Sequence, residues 1–414
     1  AKGKNKEDEN VKELTKQIKK DAKKDKLEHT KRKLESGINL REKWQPIKEQ
    51  KRPFVPNFTK QKDIHGNRVP HGERANAAAE YLENVQWKQN DRGPDKIAPP
   101  KIITEELNIN TDEISLEELN ITIKRLKNNK APGPDNVIIE LIKYMDDNNR
   151  EIILGILNQC WREETIAENM THANIACLFK KGDTQNLANY RPIALLNGMY
   201  KIYAAVIQKR LASKIDKYIQ KTQFGFRANK STAQALYIAR RIQDLAEESG
   251  DNIILIMLDW EKAFDKVDQH RLIEALQRLN IPEKMVNNIA SLYKDPLFKV
   301  VHEDQESEYK RQQSGIRQGC PLSPYLFTLV MTVMFADIHK EIDHKLNGLR
   351  TGRVDGLSYT EILYADDTLL AVKDTKSANL IVAAIEKESS YYNMKLNKGK
   401  CNYIAMNKKN KIKF

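Results

Sequence analysis

The sequence has little of what marks secreted, membrane-spanning or zinc-binding proteins. Its 414 residues include only four cysteines, Cys160, Cys177, Cys320 and Cys401, which lie far apart. No two of them form a C-x-x-C pair, so neither a zinc site nor a disulfide framework is indicated, which fits a reducing compartment. No run of about 18 apolar residues is present, so no transmembrane helix is predicted. The N-terminus is polar and lysine-rich, which excludes a secretory signal.

Positive charge is abundant instead. The chain has 70 Lys and Arg against 57 Asp and Glu, a formal net charge of +13. This surplus predicts a polyanionic partner, most simply a nucleic acid, because an anionic membrane surface would require a basic amphipathic helix beside an apolar anchor. The hydrophobic fraction of 40% is enough for a sizeable core, and the length is typical of about two to three domains.

Two adjacent carboxylates, Asp366 and Asp367, stand between short apolar runs. Ile362 and Leu363 precede them and residues 368–372 follow, which predicts a hairpin of two strands. Like charges held side by side are costly unless a cation offsets them, and Mg²⁺ prefers carboxylate oxygens together with substrate phosphates. The alternative is an ordinary polar turn, because Asp is common in turns.

A third carboxylate ends the most apolar stretch of the chain. Residues 253–258 are continuously apolar, which predicts a buried strand, and Asp259 follows directly. A carboxylate at the end of a buried strand is costly unless it is paired or binds a metal. We therefore expect Asp259 to meet Asp366 and Asp367. Three carboxylates on strand ends suit a two-metal site for phosphoryl transfer.

Basic side chains are expected to face these carboxylates. Residues 173–179 and 189–196 predict two strands of a hairpin, on which Lys180, Lys181 and Arg191 would direct positive charge into one space. Ammonium and guanidinium groups offset phosphate charge, which suits a triphosphate. The alternative is that these are ordinary solvated side chains.

A glycine- and proline-rich loop at residues 314–324 leads into a helix at 325–338 that is apolar on nearly every side and should be buried. The loop's glycines would let the backbone approach a base or sugar closely. Further helices are predicted at 73–85, 115–126, 137–144, 152–161, 199–219, 231–250 and 377–392. Residues 270–293 predict helices that are interrupted at Ile281-Pro282. Strands are predicted at 298–302 and 309–313.

Several short motifs follow one another along residues 100–400. The most specific are Tyr364 to Asp367, Asp259 with Phe264 and Asp265, and Gly315 to Pro324. Further motifs lie at residues 129–135, 180–183, 189–193 and 223–227. In this order they resemble the reverse transcriptases of LINE-type, non-LTR retrotransposons, and residues 64–82 resemble the linker that precedes the polymerase in such proteins.

The resemblance implies an α+β fold, a right-hand polymerase with fingers and palm. Its antiparallel palm sheet would be backed by helices, behind a basic helical N-terminal extension. The implied divisions are a basic arm at 1–52, a linker and extension at 53–114, fingers at 115–250, and a palm at 251–414 interleaved with fingers segments. Only a short tail follows Lys400, so we expect the thumb to be absent.

The resemblance also implies roles for single residues. Asp259, Asp366 and Asp367 would be the catalytic carboxylates and would hold two Mg²⁺ ions, with Mn²⁺ as the alternative. Phe264 would be the steric gate against the ribose 2′-OH, and Lys400 would give a proton to pyrophosphate. The nucleotide-binding set would be Lys180, Lys181, Arg191, Phe264, Gln318, Gly319 and Lys400.

The implied activity is RNA-directed DNA polymerisation, from dNTPs onto a primer 3′-OH. The implied partners are an RNA template, a DNA primer or target, and a separate chain or domain that supplies thumb and endonuclease. No membrane partner is expected, and the location would be nuclear or nucleocytoplasmic. The alternative is a nucleic-acid-binding protein whose polymerase site is retained but non-productive because the thumb is missing. Phe264 and Tyr364-Ala365 argue against an RNA polymerase, and residues 189–193 against a group II intron maturase.

Overall fold

The computed structural model describes residues 4–36, 61–89, 100–302, 305–343, 351–354, 357–359 and 361–406. The chain divides into two units, Ala1–Asn57 and Phe58–Phe414. The first carries helix α1 (Lys4–Ser36), on which the apolar side chains of Leu14, Ile18 and Leu27 are exposed. The predicted linker prolines before residue 100 and the basic tail after residue 406 lie outside the described residues.

The helices of the second unit lie close to the predicted segments. They are α2 (Arg74–Tyr81), α3 (Leu116–Arg125), α4 (Ile139–Lys143), α5 (Asp147–Glu163), α6 (Glu168–Thr171), α7 (Gly198–Ile215), α8 (Thr232–Ser249), α9 (Ala263–Lys266), α10 (Gln269–Arg278), α11 (Glu283–Ser291), α12 (Ser323–Asp343) and α13 (Thr375–Tyr391). No helix of the described chain is both long enough and apolar enough to cross a membrane.

Helix boundaries follow from local chemistry. The Ser115 side chain accepts a hydrogen bond from the Glu118 N–H and so begins α3, and Gly250 ends α8 in the left-handed conformation. The predicted helix at 73–85 is split, because α2 passes into a π-helical turn at Leu82–Gln86. The one predicted at 137–144 is wrong in its first residues, since the backbone stays extended up to Ile138.

The strands form three sheets. They are β1 (Ala173–Phe179), β2 (Tyr190–Leu196), β3 (Ile253–Leu258), β4 (Leu297–His302), β5 (Gln305–Glu306), β6 (Lys310–Arg311), β7 (Thr351–Val354), β8 (Leu357–Tyr359), β9 (Glu361–Tyr364), β10 (Asp367–Val372) and β11 (Asn402–Met406). One sheet has the order β2-β1-β4-β5, with β6 also on β4, and β7 pairs with β8. The parallel β1–β4 pair makes the first sheet mixed.

The sheet that positions the carboxylates has the order β11-β3-β10-β9, and all its pairs are antiparallel. The predicted antiparallel sheet is therefore confirmed, and the fold contains both helices and sheets. Helix α13 packs on β3 and β10, and α12 packs on α13. Most side chains of α12 are fully buried, as its apolar sequence predicts. Helices therefore cover one face of this sheet.

Candidate active site

The hairpin of β9 and β10 brings the carboxylates together. Its two-residue turn is Ala365-Asp366, and Tyr364 pairs with Asp367 across it. Strand β10 also pairs with β3, with Thr368 opposite Leu258. Asp259 directly follows Leu258, so this register places it at the same end of the sheet as Asp366 and Asp367. The predicted meeting of the strand ends is therefore present.

Asp366 lies in an environment that disfavours its charge. The residue is half-buried, and burial raises the pKa of its carboxyl group. The negative charges of Asp367 and Asp259 raise that pKa further, whereas the positive charge of Lys180 lowers it. Carboxylates crowded in this way are stabilised as anions when a cation binds between them.

Asp259 presents an unsatisfied oxygen at the same place. Its Oδ2 is buried and accepts no hydrogen bond, and Lys400 Nζ lies 3.4 Å from it. Within the described residues, no three His, Cys, Asp or Glu side chains converge on one point. Asp259 and Asp366 nevertheless fit a hard divalent ion, because Mg²⁺ is usually held by one or two carboxylates plus substrate phosphates.

A cavity of about 840 Å³ lies at this end of the sheet. Of the residues predicted for the site, it is lined by Lys180, Lys181, Arg191, Asp259, Phe264, Gln318, Gly319, Asp366 and Lys400. Asp367, the exposed first residue of β10, does not line it. Residues 180, 259, 318 and 400 are far apart in sequence, so the fold brings the separate motifs to one space.

The basic wall of the cavity is built by the β1–β2 hairpin. At the end of this hairpin the Lys180 N–H donates to the Asn189 carbonyl at 2.9 Å. Within it, Arg191 of β2 pairs with Leu178 of β1. Lys180, Lys181 and Arg191 are exposed towards solvent and the cavity. Arg191 on β2 and the two lysines that directly follow β1 are therefore brought by one hairpin to the cavity that the carboxylates line.

The ring of Phe264 is held by two other aromatic rings. It stacks on Phe327 of α12 with the ring centroids 4.5 Å apart, and Phe226 contacts it edge-on at 6.0 Å. Phe264 is half-buried and lines the cavity. Its position on the cavity wall is thus fixed by stacking on the buried Phe327 ring and by edge contact with the exposed Phe226.

Gln223 supports the turn that carries Asp366. Its Oε1 accepts from the Ala365 N–H at 3.1 Å, and its Nε2 donates to the Ala365 carbonyl at 3.4 Å. Gly225 packs directly on this turn, where a Cβ would lie 2.2 Å from the Ala365 nitrogen. The motif at 223–227 therefore holds the turn that carries Asp366, a role that sequence reasoning did not assign to it.

Lys400 is placed by backbone pairing beside β3. The Asn397 N–H donates to the Asp259 carbonyl at 2.8 Å, and the Lys400 N–H donates to the Asn397 carbonyl at 2.9 Å. Asn397 and Lys400 both line the cavity. The segment after α13 thus forms the wall next to Asp259.

Arg317 is a cavity residue that the sequence did not single out. It is only 2% exposed, and none of its three guanidinium nitrogens has a hydrogen-bond partner among the described residues. Its guanidinium group lies 5.4 Å from the Tyr200 ring centre. A buried cation without a hydrogen-bond acceptor is energetically costly. Arg317 therefore adds to the preference of the cavity for an anionic ligand.

Gln86 and Lys262 also line the cavity, although neither was predicted for the site. Lys262 lies within the motif that runs from Asp259 to Asp265 and donates to Gln86, and Gln86 donates to Asp265. That motif was the only available signal for them. The contact joins residues 179 positions apart, which neither spacing nor periodicity reveals.

Comparison with known proteins identifies the family. The model for reverse transcriptase (RNA-dependent DNA polymerase) matches residues 179–414, more than half of the chain. The transposon TX1 uncharacterized 149 kDa protein of Xenopus laevis is 28% identical over 261 residues, 63% of this chain and 20% of that protein. The RNA-directed DNA polymerase from mobile element jockey of Drosophila funebris is 27% identical over 306 residues, 70% of this chain and 31% of that protein.

Two further similarities complete the comparison. The Pol polyprotein of the type-1 retrotransposable element R2 of Popillia japonica is 26% identical over 227 residues, 54% of this chain and 31% of that protein. Among solved structures, apo telomerase from Candida tropicalis, truncated from the C-terminal domain, is 12% identical and overlaps 65% of this chain and 61% of that chain with a TM-score of 0.44.

The chain spans about a fifth to a third of the length of these curated relatives. The predicted resemblance to non-LTR retrotransposon reverse transcriptases is confirmed by the family match and by the names of the relatives. Members of this family work with divalent metal ions, nucleic-acid templates and nucleoside triphosphates. The chain belongs to the reverse transcriptase (RNA-dependent DNA polymerase) family.

Proposed function

We propose that this chain is the RNA-directed DNA polymerase core of a non-LTR retrotransposon, with fingers and palm. It would transfer nucleotides from dNTPs to a primer 3′-OH on an RNA template. The observation that carries the proposal is one cavity lined both by Asp259 and Asp366 and by Lys180, Lys181 and Arg191. Catalysis of this kind depends mainly on positioning and charge stabilisation, which such a cavity supplies.

The carboxylates would hold two Mg²⁺ ions. Asp259, Asp366 and the backbone after Asp259 are the ligands that we propose, with Asp367 beside them. When bound, the ions would stabilise the negative charge on the attacking and leaving oxygens. The unsatisfied Oδ2 of Asp259 and the raised pKa of the Asp366 carboxyl support this assignment.

The remaining walls would bind the nucleotide. Lys180, Lys181 and Arg191 would neutralise the triphosphate, as exposed cations on a rigid hairpin can. Phe264 would exclude a ribose 2′-OH, because stacking on Phe327 keeps its ring on the cavity wall. Gln318 and Gly319 would lie beside the incoming nucleotide and the template.

Lys400 would donate a proton to the leaving pyrophosphate. Its ammonium group lies 3.4 Å from Asp259 Oδ2 and so already stands at the reacting end of the cavity. The net reaction forms a bond between the primer 3′-oxygen and the α-phosphorus, and the hydroxyl proton passes to solvent, from which Lys400 is reprotonated. It breaks the bond between the α-phosphorus and the bridging oxygen, which leaves with pyrophosphate.

The partners proposed for the chain are an RNA template and a DNA primer or target. A thumb and an endonuclease supplied by another chain or domain would complete the assembly. We also propose a nuclear or nucleocytoplasmic location, which the retrotransposon relatives and the net charge of +13 support.

Primer extension tests the proposal directly. The 414-residue chain is incubated with an RNA template annealed to a DNA primer, dNTPs and Mg²⁺, beside an Asp366→Ala variant. Extension by the wild type and not by the variant is expected, with RNA binding retained in both. Tight template binding without extension by the wild type would favour a binding-only protein.

A further inference from the structure

Asp265 is a buried carboxylate that the proposed chemistry does not use. It is 4% exposed and accepts hydrogen bonds from Trp87 Nε1 at 3.0 Å, Gln86 Nε2 at 3.1 Å and Gln318 Nε2 at 3.0 Å. Burial raises the pKa of Asp265, while these three donors and the nearby Lys262 charge lower it. Every partner of the carboxylate is a donor, so its oxygens act only as acceptors.

Two of the three donors come from residues 74–87, ahead of the polymerase motifs. This segment is fixed independently of the cavity. The Trp87 ring is 2% exposed and contacts Phe298 of β4 edge-on, with centroids 4.8 Å apart. Glu83 accepts from the Arg311 N–H at 3.0 Å. The segment can therefore act as a rigid support for Asp265.

The hydrogen bonds have a fixed polarity. Lys262 Nζ donates to Gln86 Oε1 at 2.8 Å and to the Tyr81 hydroxyl at 2.7 Å. With its Oε1 occupied by a lysine, Gln86 turns Nε2 towards Asp265. The Asp265 carboxylate in turn requires Gln318 to present its own Nε2. The Oε1 and the second N–H of the Gln318 amide remain for the cavity.

The loop that carries Gln318 is attached to the same place. Ser314 Oγ donates to the Asp265 carbonyl at 3.2 Å, and the Ile316 N–H donates to the Phe264 carbonyl at 2.8 Å. Gly315 has a φ of +80°, and a Cβ there would lie 2.6 Å from the Asp265 oxygen. Both the backbone and the side chain of Asp265 therefore determine where Gln318 lies.

We propose that Asp265 is a positioning residue for Gln318, and that Gln86 and Trp87 make segment 74–87 a structural part of the nucleotide site. The inference rests on the proposed polymerase function. Asp265 and Gln86 fix which end of the Gln318 amide faces the nucleotide. Their loss weakens nucleotide binding more than it slows bond formation, because the metal-binding carboxylates and the basic hairpin are left in place.

The test is steady-state dTTP incorporation on a poly(rA)–oligo(dT) primer with Mg²⁺. The variants are Gln86→Leu, Gln318→Leu and the double variant. Gln86→Glu keeps the side-chain length and the acceptor for Lys262 but removes the donor to Asp265, and it serves also if Gln86→Leu does not fold. The matched control is Glu80→Gln, which changes an exposed residue of α2 in the same segment that does not line the cavity.

We expect KM for dTTP to rise about tenfold or more in each Gln86 variant and in Gln318→Leu, with kcat within about threefold of wild type. The double variant should be no worse than Gln318→Leu alone, because Gln86 acts through Gln318. An unchanged KM in the Gln86 variants, or effects that multiply in the double variant, would overturn the inference and leave the polymerase function intact. No extension by the wild type would overturn both.

Discussion

Single side chains in this protein are specified by the elements that hold them. Phe264 shows this at the cavity wall, because α12 and the motif at 223–227 fix its ring through Phe327 and Phe226. A side chain that is immobilised in this way excludes an extra ligand atom more strictly than a mobile one. Its proposed role in sugar selection therefore depends on packing as well as on size.

Replacing Phe264 with Ala should admit ribonucleotides. Removal of the ring opens space beside the sugar, so we expect the ratio of rNTP to dNTP incorporation efficiency to rise about 10- to 100-fold. Competing dNTP and rNTP incorporation on one template measures the ratio, and dNTP incorporation serves as the internal control. An unchanged ratio would remove Phe264 from the gate role.

Lys262 makes stability depend on pH. Burial, together with a smaller effect of the Lys266 charge, lowers the pKa of its ammonium group from 10.5 to about 8. The charges of Asp265 and Glu261 oppose this shift. Between pH 8 and 10.5 the unfolded chain binds more protons at this site than the folded one, so folding stability rises with pH in that window.

The measurement compares wild type with Lys262→Met. We expect the difference in melting temperature, wild type minus variant, to increase as pH rises from 8 towards 10.5. Below pH 8 this difference should stay constant. Other groups titrate in both proteins and cancel in the difference. A constant difference in melting temperature across this pH window would show that burial does not lower the pKa of Lys262.

At the scale of elements, the turn of the β9–β10 hairpin depends on a second segment. Gln223 bonds both polar groups of the Ala365 backbone, and Ala365 has a positive φ of 57°. A non-glycine residue in that conformation is strained and persists when its surroundings hold it. The motif at 223–227 supplies that support directly behind Asp366.

Gly225→Ala should therefore damage the site. The new Cβ would meet the Ala365 backbone at 2.2 Å, so we expect a loss of about 1–3 kcal/mol in unfolding free energy and a large loss of extension. Gly155→Ala is the matched control, because Gly155 lies in α5 with no atom within 4 Å of an added Cβ. That change should stabilise the protein by about 0.5–1 kcal/mol. Equal melting temperatures for the two variants would contradict the assigned contact.

The same elements show what a sequence can and cannot reveal. Short apolar runs placed β3, β9 and β10 correctly, and the carboxylates after β3 and between β9 and β10 were enough to predict that Asp259 meets Asp366. Gln86 escaped prediction because its partner Asp265 lies 179 residues away, and a hydrogen bond leaves no period in the sequence. The π-helical turn that orients Gln86 was missed for a related reason, since apolar spacing does not distinguish it from an α-helix.

At the scale of the whole molecule, positive charge is unevenly distributed. Residues 1–57 carry 18 Lys and Arg against 10 Asp and Glu, a net charge of +8 within the +13 of the chain. Five lysines in the described part of α1, positions 16, 19, 20, 23 and 24, are exposed. Charge of this kind binds nucleic-acid phosphates by releasing counterions, independently of base sequence.

Changing these five lysines to Gln should weaken nucleic-acid binding without slowing catalysis. Each phosphate contact contributes about 0.7–0.9 to the slope of log K against log salt, so that slope should become shallower by up to about 4. Fluorescence anisotropy with a labelled RNA–DNA duplex at several salt concentrations measures it, and kcat at saturating duplex should not change. The matched control carries Arg at the same five positions and keeps the charge. If the Gln and Arg variants show the same slope, the arm does not bind phosphates and the charge that does so lies in the second unit.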